Sequence, residues 1–154
     1  MISVGIDVSK GKSTVCAIKP YGEVLMTPRD FKHTRDELGS LTKQLSRFEE
    51  EIHIIMEATG NYHLPVYQYL KSKDYQISII NPLEMKRYRC QGIRNPKTDK
   101  IDSYIIAQYG IQTRLNNSAL LNFAFIQRLF GILNVRSRCI HKVYTIFQIV
   151  NTLC

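Results

Sequence analysis

The order of the apolar segments constrains the fold of this chain more than any other feature of its sequence. Apolar residues alternate with small ones over residues 2–6 and predict a first strand that ends at Asp7. Two further strands are expected over residues 14–18 and 22–26, and a Pro20-Tyr21-Gly22 turn joins them. The chain is therefore expected to begin with three strands in direct succession.

The rest of the first 111 residues alternates between helix and strand patterns. Leucines at spacings of three and four predict an amphipathic helix over residues 34–48. Further strands are expected over residues 52–57 and 75–80, and further helices over residues 63–71 and 96–111, the last with Asn95 as its N-cap. A basic, turn-rich connection is expected over residues 84–94. The order βββαβαβα indicates an α/β fold, a mixed sheet flanked by helices.

The C-terminal segment has a different periodicity. Over residues 126–150, apolar residues recur at alternating spacings of three and four, and Arg136 is the single charged interruption. This seam predicts a long coiled-coil helix after the domain, and with it self-association of the chain. The alternative is a helix that packs its apolar stripe against its own domain.

The positive charge of the chain is confined to its second half. Residues 1–83 contain ten basic and ten acidic residues, whereas residues 84–154 contain eleven basic and three acidic ones, which accounts for the whole net charge of +8. A basic surface beside a neutral body suits a polyanion, because binding releases the counterions condensed on phosphates. The alternative is a solvated basic face. The candidate nucleic-acid-binding residues are Lys86, Arg87, Arg89, Arg94, Lys97 and Lys100.

No segment of the sequence has the composition typical of secretion or membrane insertion. The first residues include an acid and lack an apolar run of signal-peptide length. The longest uncharged stretches, residues 115–127 and 143–154, are shorter than the roughly 20 residues that a membrane-spanning helix needs. The four cysteines lack the spacing of a disulfide framework or a zinc site. We therefore expect a soluble cytoplasmic protein with reduced thiols and no membrane partner.

Four acidic residues are candidates for a common site, and two of them occupy positions that are unusual for a carboxylate. Asp7 and Glu57 each follow an apolar strand pattern and are expected at the ends of buried strands, where sites form in α/β sheets. Asp99 and Asp102 lie three residues apart on a predicted helix and therefore share one face. If the four converge, their oxygens suit a pair of Mg²⁺ or Mn²⁺ ions and phosphodiester cleavage. Taken singly, each acid has a structural alternative such as an ion pair.

Four separated motifs give the sequence a resemblance to a known family. The motifs are GIDVSK at 5–10, MEATGNY at 56–62, NP at 81–82 and RNPKTDKIDSYIIA at 94–107. In order and spacing they resemble the N-terminal domain of DEDD transposases of the insertion-sequence-110 family. The resemblance implies a RuvC-like, ribonuclease-H-like fold and a role in DNA transposition or recombination.

The resemblance also implies roles for individual residues. Asp7, Glu57, Asp99 and Asp102 match the metal-binding catalytic acids of the family, with Mg²⁺ or Mn²⁺ as the implied cofactor. In this family a coiled coil and a second domain with a serine nucleophile follow, and a guide RNA directs the enzyme to its DNA. Ser103 departs from the family pattern, which usually has alanine there.

The expected organisation follows from this resemblance. Residues 1–112 are expected to form a RuvC-like catalytic domain and residues 113–154 a basic coiled-coil helix that is truncated. Because no serine of the chain lies in a matching nucleophile motif, we expect the acidic half of a recombinase that cannot complete transposition alone. The implied partners are DNA, a guide RNA and a further copy of the chain, in the bacterial cytoplasm at the nucleoid.

Two other functions compete with this interpretation. The segment GIDVSKGKST at residues 5–14 also resembles the first phosphate loop of actin-like and sugar-kinase ATPases, but residues 58–154 lack the second glycine-rich loop that this function needs. A catalytically silent nucleic-acid-binding or dimerisation module would retain both the acids and the basic residues. The sequence alone does not separate this second alternative from an active domain.

Overall fold

The computed structural model describes residues 1–58, 60–90 and 98–114, and within them the chain forms one five-stranded mixed sheet. The strands are β1 (Ile2–Ser9), β2 (Lys12–Ile18), β3 (Val24–Lys32), β4 (Ile52–Glu57) and β5 (Gln76–Ile80). The helices are α1 (Arg35–Leu45), α2 (His63–Lys71), α3 (Pro82–Cys90) and α4, which covers residues 99–114. The strand order is β3-β2-β1-β4-β5, so β1 lies at the centre of the sheet.

The pairing of the strands follows the lengths of their connections. β1, β2 and β3 pair antiparallel, and the β1–β2 connection is a tight turn in which Gly11 adopts a φ of 78°. β4 pairs parallel to β1, and β5 pairs parallel to β4, because a helix intervenes before each of them. The predicted turn at residues 20–22 is present, with Tyr21 and Gly22 at positive φ.

The two faces of the sheet pack against different helices. Val4 and Ile6 of β1 lie with Ile54 and Met56 of β4 in the main core, which the leucines of α1 and α2 complete. The alternate residues of β1 face the opposite side, where Ser3 Oγ donates a hydrogen bond of 2.8 Å to a carbonyl oxygen of α4. The central strand is therefore enclosed by helices on both faces.

Helix α4 approaches β1 so closely that a side chain at Gly5 would not fit. A Cβ atom built at Gly5 would lie 2.1 Å from the carbonyl oxygen of Ser103 and 2.4 Å from the amide nitrogen of Ala107. A Cβ at Gly110, farther along α4, would lie 2.5 Å from side-chain atoms of Ile55 and Ser3. Glycine at these two positions allows the helix backbone to rest directly on the strand.

Helix α3 packs against α4 on the same side of the sheet. Met85 of α3 is fully buried with Ile55 and Ile106. The rings of Tyr88 and Tyr109 meet edge to face, with centroids 5.2 Å apart. The Tyr109 hydroxyl also donates a hydrogen bond to the Glu84 carboxylate. These contacts fix the position of α3 relative to α4.

Several element bounds expected from the sequence differ from the structure. β1 continues past Asp7 to Ser9, because Val8 is buried and keeps the alternation of the strand. The segment expected as a turn-rich connection is largely helix α3. Asn81 ends β5, as expected, but it also caps this helix by accepting a hydrogen bond from the backbone N–H of Leu83 at 2.9 Å.

The last helix begins differently from the prediction. Thr98 precedes α4, and its hydroxyl accepts a hydrogen bond from the N–H of Ile101 at 3.2 Å, as an N-cap residue does. The expected cap, Asn95, lies outside the described residues, as does the heptad seam over residues 126–150. Helix α4 continues through residues 113 and 114. The domain boundary that the sequence led us to expect at residue 112 stays a prediction. Among the helices that the structure describes, none is both long and apolar enough to span a membrane.

We expect Gly5→Ala to destabilise the protein by about 3 kcal/mol, because the added methyl group would collide with backbone atoms of α4. Gly39→Ala is the matched control, since a Cβ there meets only the Tyr69 hydroxyl at 3.5 Å and alanine favours the helix by up to about 1 kcal/mol. Urea unfolding followed by circular dichroism measures both. Equal stability of the two variants would contradict the close packing of α4 on β1.

Candidate functional site

Two of the predicted acids lie side by side on neighbouring parallel strands. Ile6 of β1 is paired with Met56 of β4, so the next residues, Asp7 and Glu57, occupy adjacent positions at the same edge of the sheet. Neighbouring strands are about 4.8 Å apart. Both carboxylates lie on the face that α3 and α4 cover, because side chains alternate along each strand.

The other two acids come from the first turn of α4. Asp102 has 9% of its side chain exposed, whereas Asp99 has 55% exposed and lies at the solvent side of the group. The contact between Gly5 and the backbone of Ser103 explains why Asp102 reaches the sheet, since Gly5 is two residues before Asp7 and Ser103 directly follows Asp102. The close packing of α4 therefore places a helix carboxylate beside the strand carboxylates.

The electrostatics of Asp7 show that the acids act on one another. The pKa of Asp7 is raised to about 6, first by burial and then by the negative charges of Asp102, Asp99 and Glu57, in that order. The positive charge of Arg89 opposes this effect. The four acids and Arg89 are thus close enough to interact, and we refer to the four carboxylates together as the acidic site.

Cations of the chain itself contact this site. Arg89 Nη2 lies 3.0 Å from Glu57 Oε2 and 3.3 Å from Asp102 Oδ1, so one guanidinium nitrogen contacts a strand acid and a helix acid. At the exposed side, Lys12 Nζ lies 3.5 Å from Asp99 Oδ2 and 2.8 Å from Asp30 Oδ2. Asp7 has no contact of this kind among the ion pairs of the described residues.

A divalent ion needs several of these side chains to direct oxygens toward one point. Within residues 1–58, 60–90 and 98–114, no three His, Cys, Asp or Glu side chains are arranged as ligands of one ion. The donor set is nevertheless the one that Mg²⁺ and Mn²⁺ prefer, namely carboxylate oxygens from rigid elements. Asp7, Glu57 and Asp102 also outnumber the single guanidinium beside them, so the site favours additional positive charge.

Of the predicted basic residues that the structure describes, three are exposed and one contacts the acidic site. Lys86 and Arg87 are exposed on α3, and Lys100 is exposed on α4. Arg89 faces the acidic site instead of solvent, and it is the residue whose role the sequence did not predict. The signal for it is its spacing, because Arg89 follows the buried Met85 by four residues and shares its helix face. Arg94 and Lys97 lie outside the described residues.

Comparison with known proteins assigns the fold. The chain is similar to the RuvC structure of Thermus thermophilus, with a TM-score of 0.50 and 14% sequence identity. The match covers 75% of this chain and 97% of that one. The mixed five-stranded sheet with flanking helices is therefore a RuvC-like, ribonuclease-H-like fold, as the sequence predicted.

Relatives of the chain include a gene-inverting protein and a transposase. A pilin gene-inverting protein of Moraxella bovis is 32% identical over 113 residues, which is 70% of this chain and 33% of that protein. The transposase for insertion sequence element IS1533 of Leptospira borgpetersenii is 27% identical over 100 residues, which is 65% of this chain and 29% of that protein. The chain thus spans about a third of the length of these curated relatives.

A family model gives the broadest match along the chain. The model describes transposases of the insertion-sequence-110 DEDD type, and it matches residues 4–139. This range includes all four acids of the acidic site and all of the described sheet except Ile2 and Ser3 of β1. The chain belongs to the insertion-sequence-110 family of DEDD transposases.

Proposed function

We propose that this chain is the metal-dependent domain of a DNA transposase and that Asp7, Glu57, Asp99 and Asp102 hold Mg²⁺ or Mn²⁺. The observation that carries the proposal is the placement of Asp7, Glu57 and Asp102 from three separate elements at one edge of the sheet. The raised pKa of Asp7 supports it, because a structural acid is normally placed where its charge is balanced. Membership of a transposase family supplies the substrate class, DNA phosphodiesters.

Each acid has a distinct part in this proposal. Asp7 and Glu57 are held by the paired strands and provide the fixed oxygens, while Asp102 is added by the docked helix. Asp99 lies at the exposed side, where a ligand enters. When bound there, a pair of divalent ions activates the attacking oxygen and stabilises the leaving oxygen of a phosphodiester.

The exposed basic residues provide the proposed DNA contact. Lys86 and Arg87 lie on α3 near Arg89, and Lys100 lies on the turn of α4 that carries Asp99 and Asp102. Cations beside an acidic site can hold the DNA backbone, whose phosphates the acids themselves would repel. Contacts of this kind position the duplex and carry little base selectivity.

Further parts of the function rest on the family resemblance and the heptad pattern. Guidance by RNA and self-association through residues 126–150 remain predictions. The family resemblance assigns the nucleophile of strand transfer to a serine of a second domain, and no serine of this sequence lies in a matching motif. We therefore propose that this chain alone does not complete transposition.

One alternative has an observation in its favour. The ion pairs of Arg89 with Glu57 and Asp102 are what a purely structural charge network would contain, so a catalytically silent DNA-binding module is the second candidate. The ATPase alternative depends on residues 5–14 alone, whereas the transposase match extends over residues 4–139. Metal binding separates the two remaining candidates.

Titration of the purified chain with Mn²⁺ should show binding that depends on the acidic site. Asp7→Asn is expected to weaken the affinity by about tenfold or more, because it removes a charged ligand from the group. Asp74→Asn is the matched control, since Asp74 is exposed, lies on another part of the surface and has a φ of 61° that asparagine tolerates. Isothermal titration calorimetry measures the affinities. Equal affinities for all three proteins, or no binding by any, would support the silent module.

The raised pKa of Asp7 predicts a pH-dependent effect on the metal-free protein. The folded pKa of about 6 exceeds the ordinary value of 3.8, so the wild type loses stability as the pH rises through this window. At pH 7.5 in EDTA, Asp7→Asn should therefore be more stable than the wild type by about 1 kcal/mol, an amount reduced by partial exposure. Urea unfolding at pH 4 and 7.5 tests this. A stabilisation independent of pH, or a loss, would contradict it.

Replacing Lys86 and Arg87 by alanine should weaken DNA binding through lost phosphate contacts. The slope of log affinity against log salt concentration is expected to become shallower by about two. The double alanine variant of Lys71 and Lys73, which are exposed at the end of α2, serves as the control. Fluorescence anisotropy with a labelled duplex at several salt concentrations measures both. If the double alanine variant of Lys86 and Arg87 has the same slope as the wild type, the DNA does not contact these two residues.

A further inference from the structure

Arg89 is held at the acidic site in an unusual way. One of its nitrogens, Nη2, makes both ion pairs, to Glu57 and to Asp102. Its Nε atom is buried and has no hydrogen-bond partner among the described residues. The guanidinium therefore donates one hydrogen bond, from Nη2 to Glu57 Oε2 at 3.0 Å, and lacks the two parallel hydrogen bonds that make an arginine–carboxylate pair strong.

The surroundings of Arg89 combine a fixed backbone with a movable side chain. The helix is anchored by Met85, by the ring contact of Tyr88 with Tyr109, and by the hydrogen bond of Tyr109 to Glu84. Arg89 itself lies one residue before the end of α3, and 27% of its side chain is exposed. A rotation about its side-chain bonds can carry the guanidinium to solvent without moving the helix.

The oxygens that Arg89 contacts are the ones that a divalent ion needs. Glu57 Oε2 and Asp102 Oδ1 belong to the two carboxylates that connect the sheet to α4. A guanidinium within 3.3 Å of both oxygens repels a second cation at that position. Without any cation, in contrast, Asp7, Glu57 and Asp102 would repel one another across the interface between sheet and helix.

We propose that Arg89 is the resident counter-cation of the acidic site, which balances Glu57 and Asp102 in the metal-free protein and leaves these oxygens when a divalent ion binds. This inference rests on the proposed metal function. It explains how the acids can be assembled before the ion is present. It also makes Arg89 a competitor of the ion, so the affinity for the ion is lower than the four carboxylates alone would give.

Arg89→Gln tests this competition. The variant should bind Mn²⁺ more tightly than the wild type, by about tenfold, and should be less stable than the wild type in EDTA, because the unbalanced acids repel one another. A residue that merely supported the site would give the opposite sign, since its loss would weaken Mn²⁺ binding. Arg35→Gln is the matched control, as Arg35 is exposed at the start of α1, away from the acidic site, and should change neither quantity.

Two further variants, Arg89→Lys and Asp7→Asn, distinguish failure of the inference about Arg89 from failure of the proposed metal function. If Arg89→Gln does not fold, Arg89→Lys retains the charge without the planar fork and should bind Mn²⁺ more tightly than the wild type, by a smaller factor than is expected for Arg89→Gln. If the wild type binds Mn²⁺ and Asp7→Asn does not, but neither Arg89 variant binds it more tightly than the wild type, the inference about Arg89 is wrong. If the wild type and Asp7→Asn both fail to bind Mn²⁺, the proposed function itself is wrong.

Discussion

The close approach of α4 to β1 is the contact on which the acidic site depends. Gly5 allows the backbone at Ser103 and Ala107 to rest on the strand, and Ser3 adds a hydrogen bond to the same helix. Without this contact, Asp102 would be one more carboxylate on a solvated helix. With it, the helix acid Asp102 is buried beside Asp7, toward the C-terminal ends of the parallel strands β1 and β4. A backbone constraint thus determines the chemistry of the site.

Because α4 packs so closely on β1, the carboxylates of the acidic site lie near one another and repel. The raised pKa of Asp7 records the burial and the like charges around it, and Arg89 provides the partial compensation that the structure contains. A site of this kind gains stability from any cation that contacts several of its acids at once. We infer that the same imbalance which makes the metal-free protein less stable is the source of its affinity for a divalent ion.

The sequence predicted β1, β4 and β5 well because their signals are local, whereas β3 extends to Lys32, beyond the expected residues 22–26. The alternation in β1, the apolar run of β4 that ends at Glu57 and the helix at His63–Lys71 are read from neighbouring residues, and the structure contains each of them. The role of Arg89 was not predicted, for two reasons. The many basic residues of α3 obscure the helical periodicity of that segment. The contact of Arg89 with Glu57 of β4 also joins residues that are 32 positions apart in the sequence. The depth of α4 packing likewise depends on pairs such as Gly5 and Ala107, which no local pattern connects.

Crystals of the chain soaked with Mn²⁺ give the most direct test of the account, because the anomalous signal of manganese locates the ion without assumptions about its ligands. We predict a peak within about 2.5 Å of carboxylate oxygens of Asp7, Glu57 and Asp102, with the guanidinium of Arg89 turned away from Glu57 and Asp102. A map without a peak at these acids, with Arg89 still bridging Glu57 and Asp102, would contradict the account and leave the acids as a structural charge network.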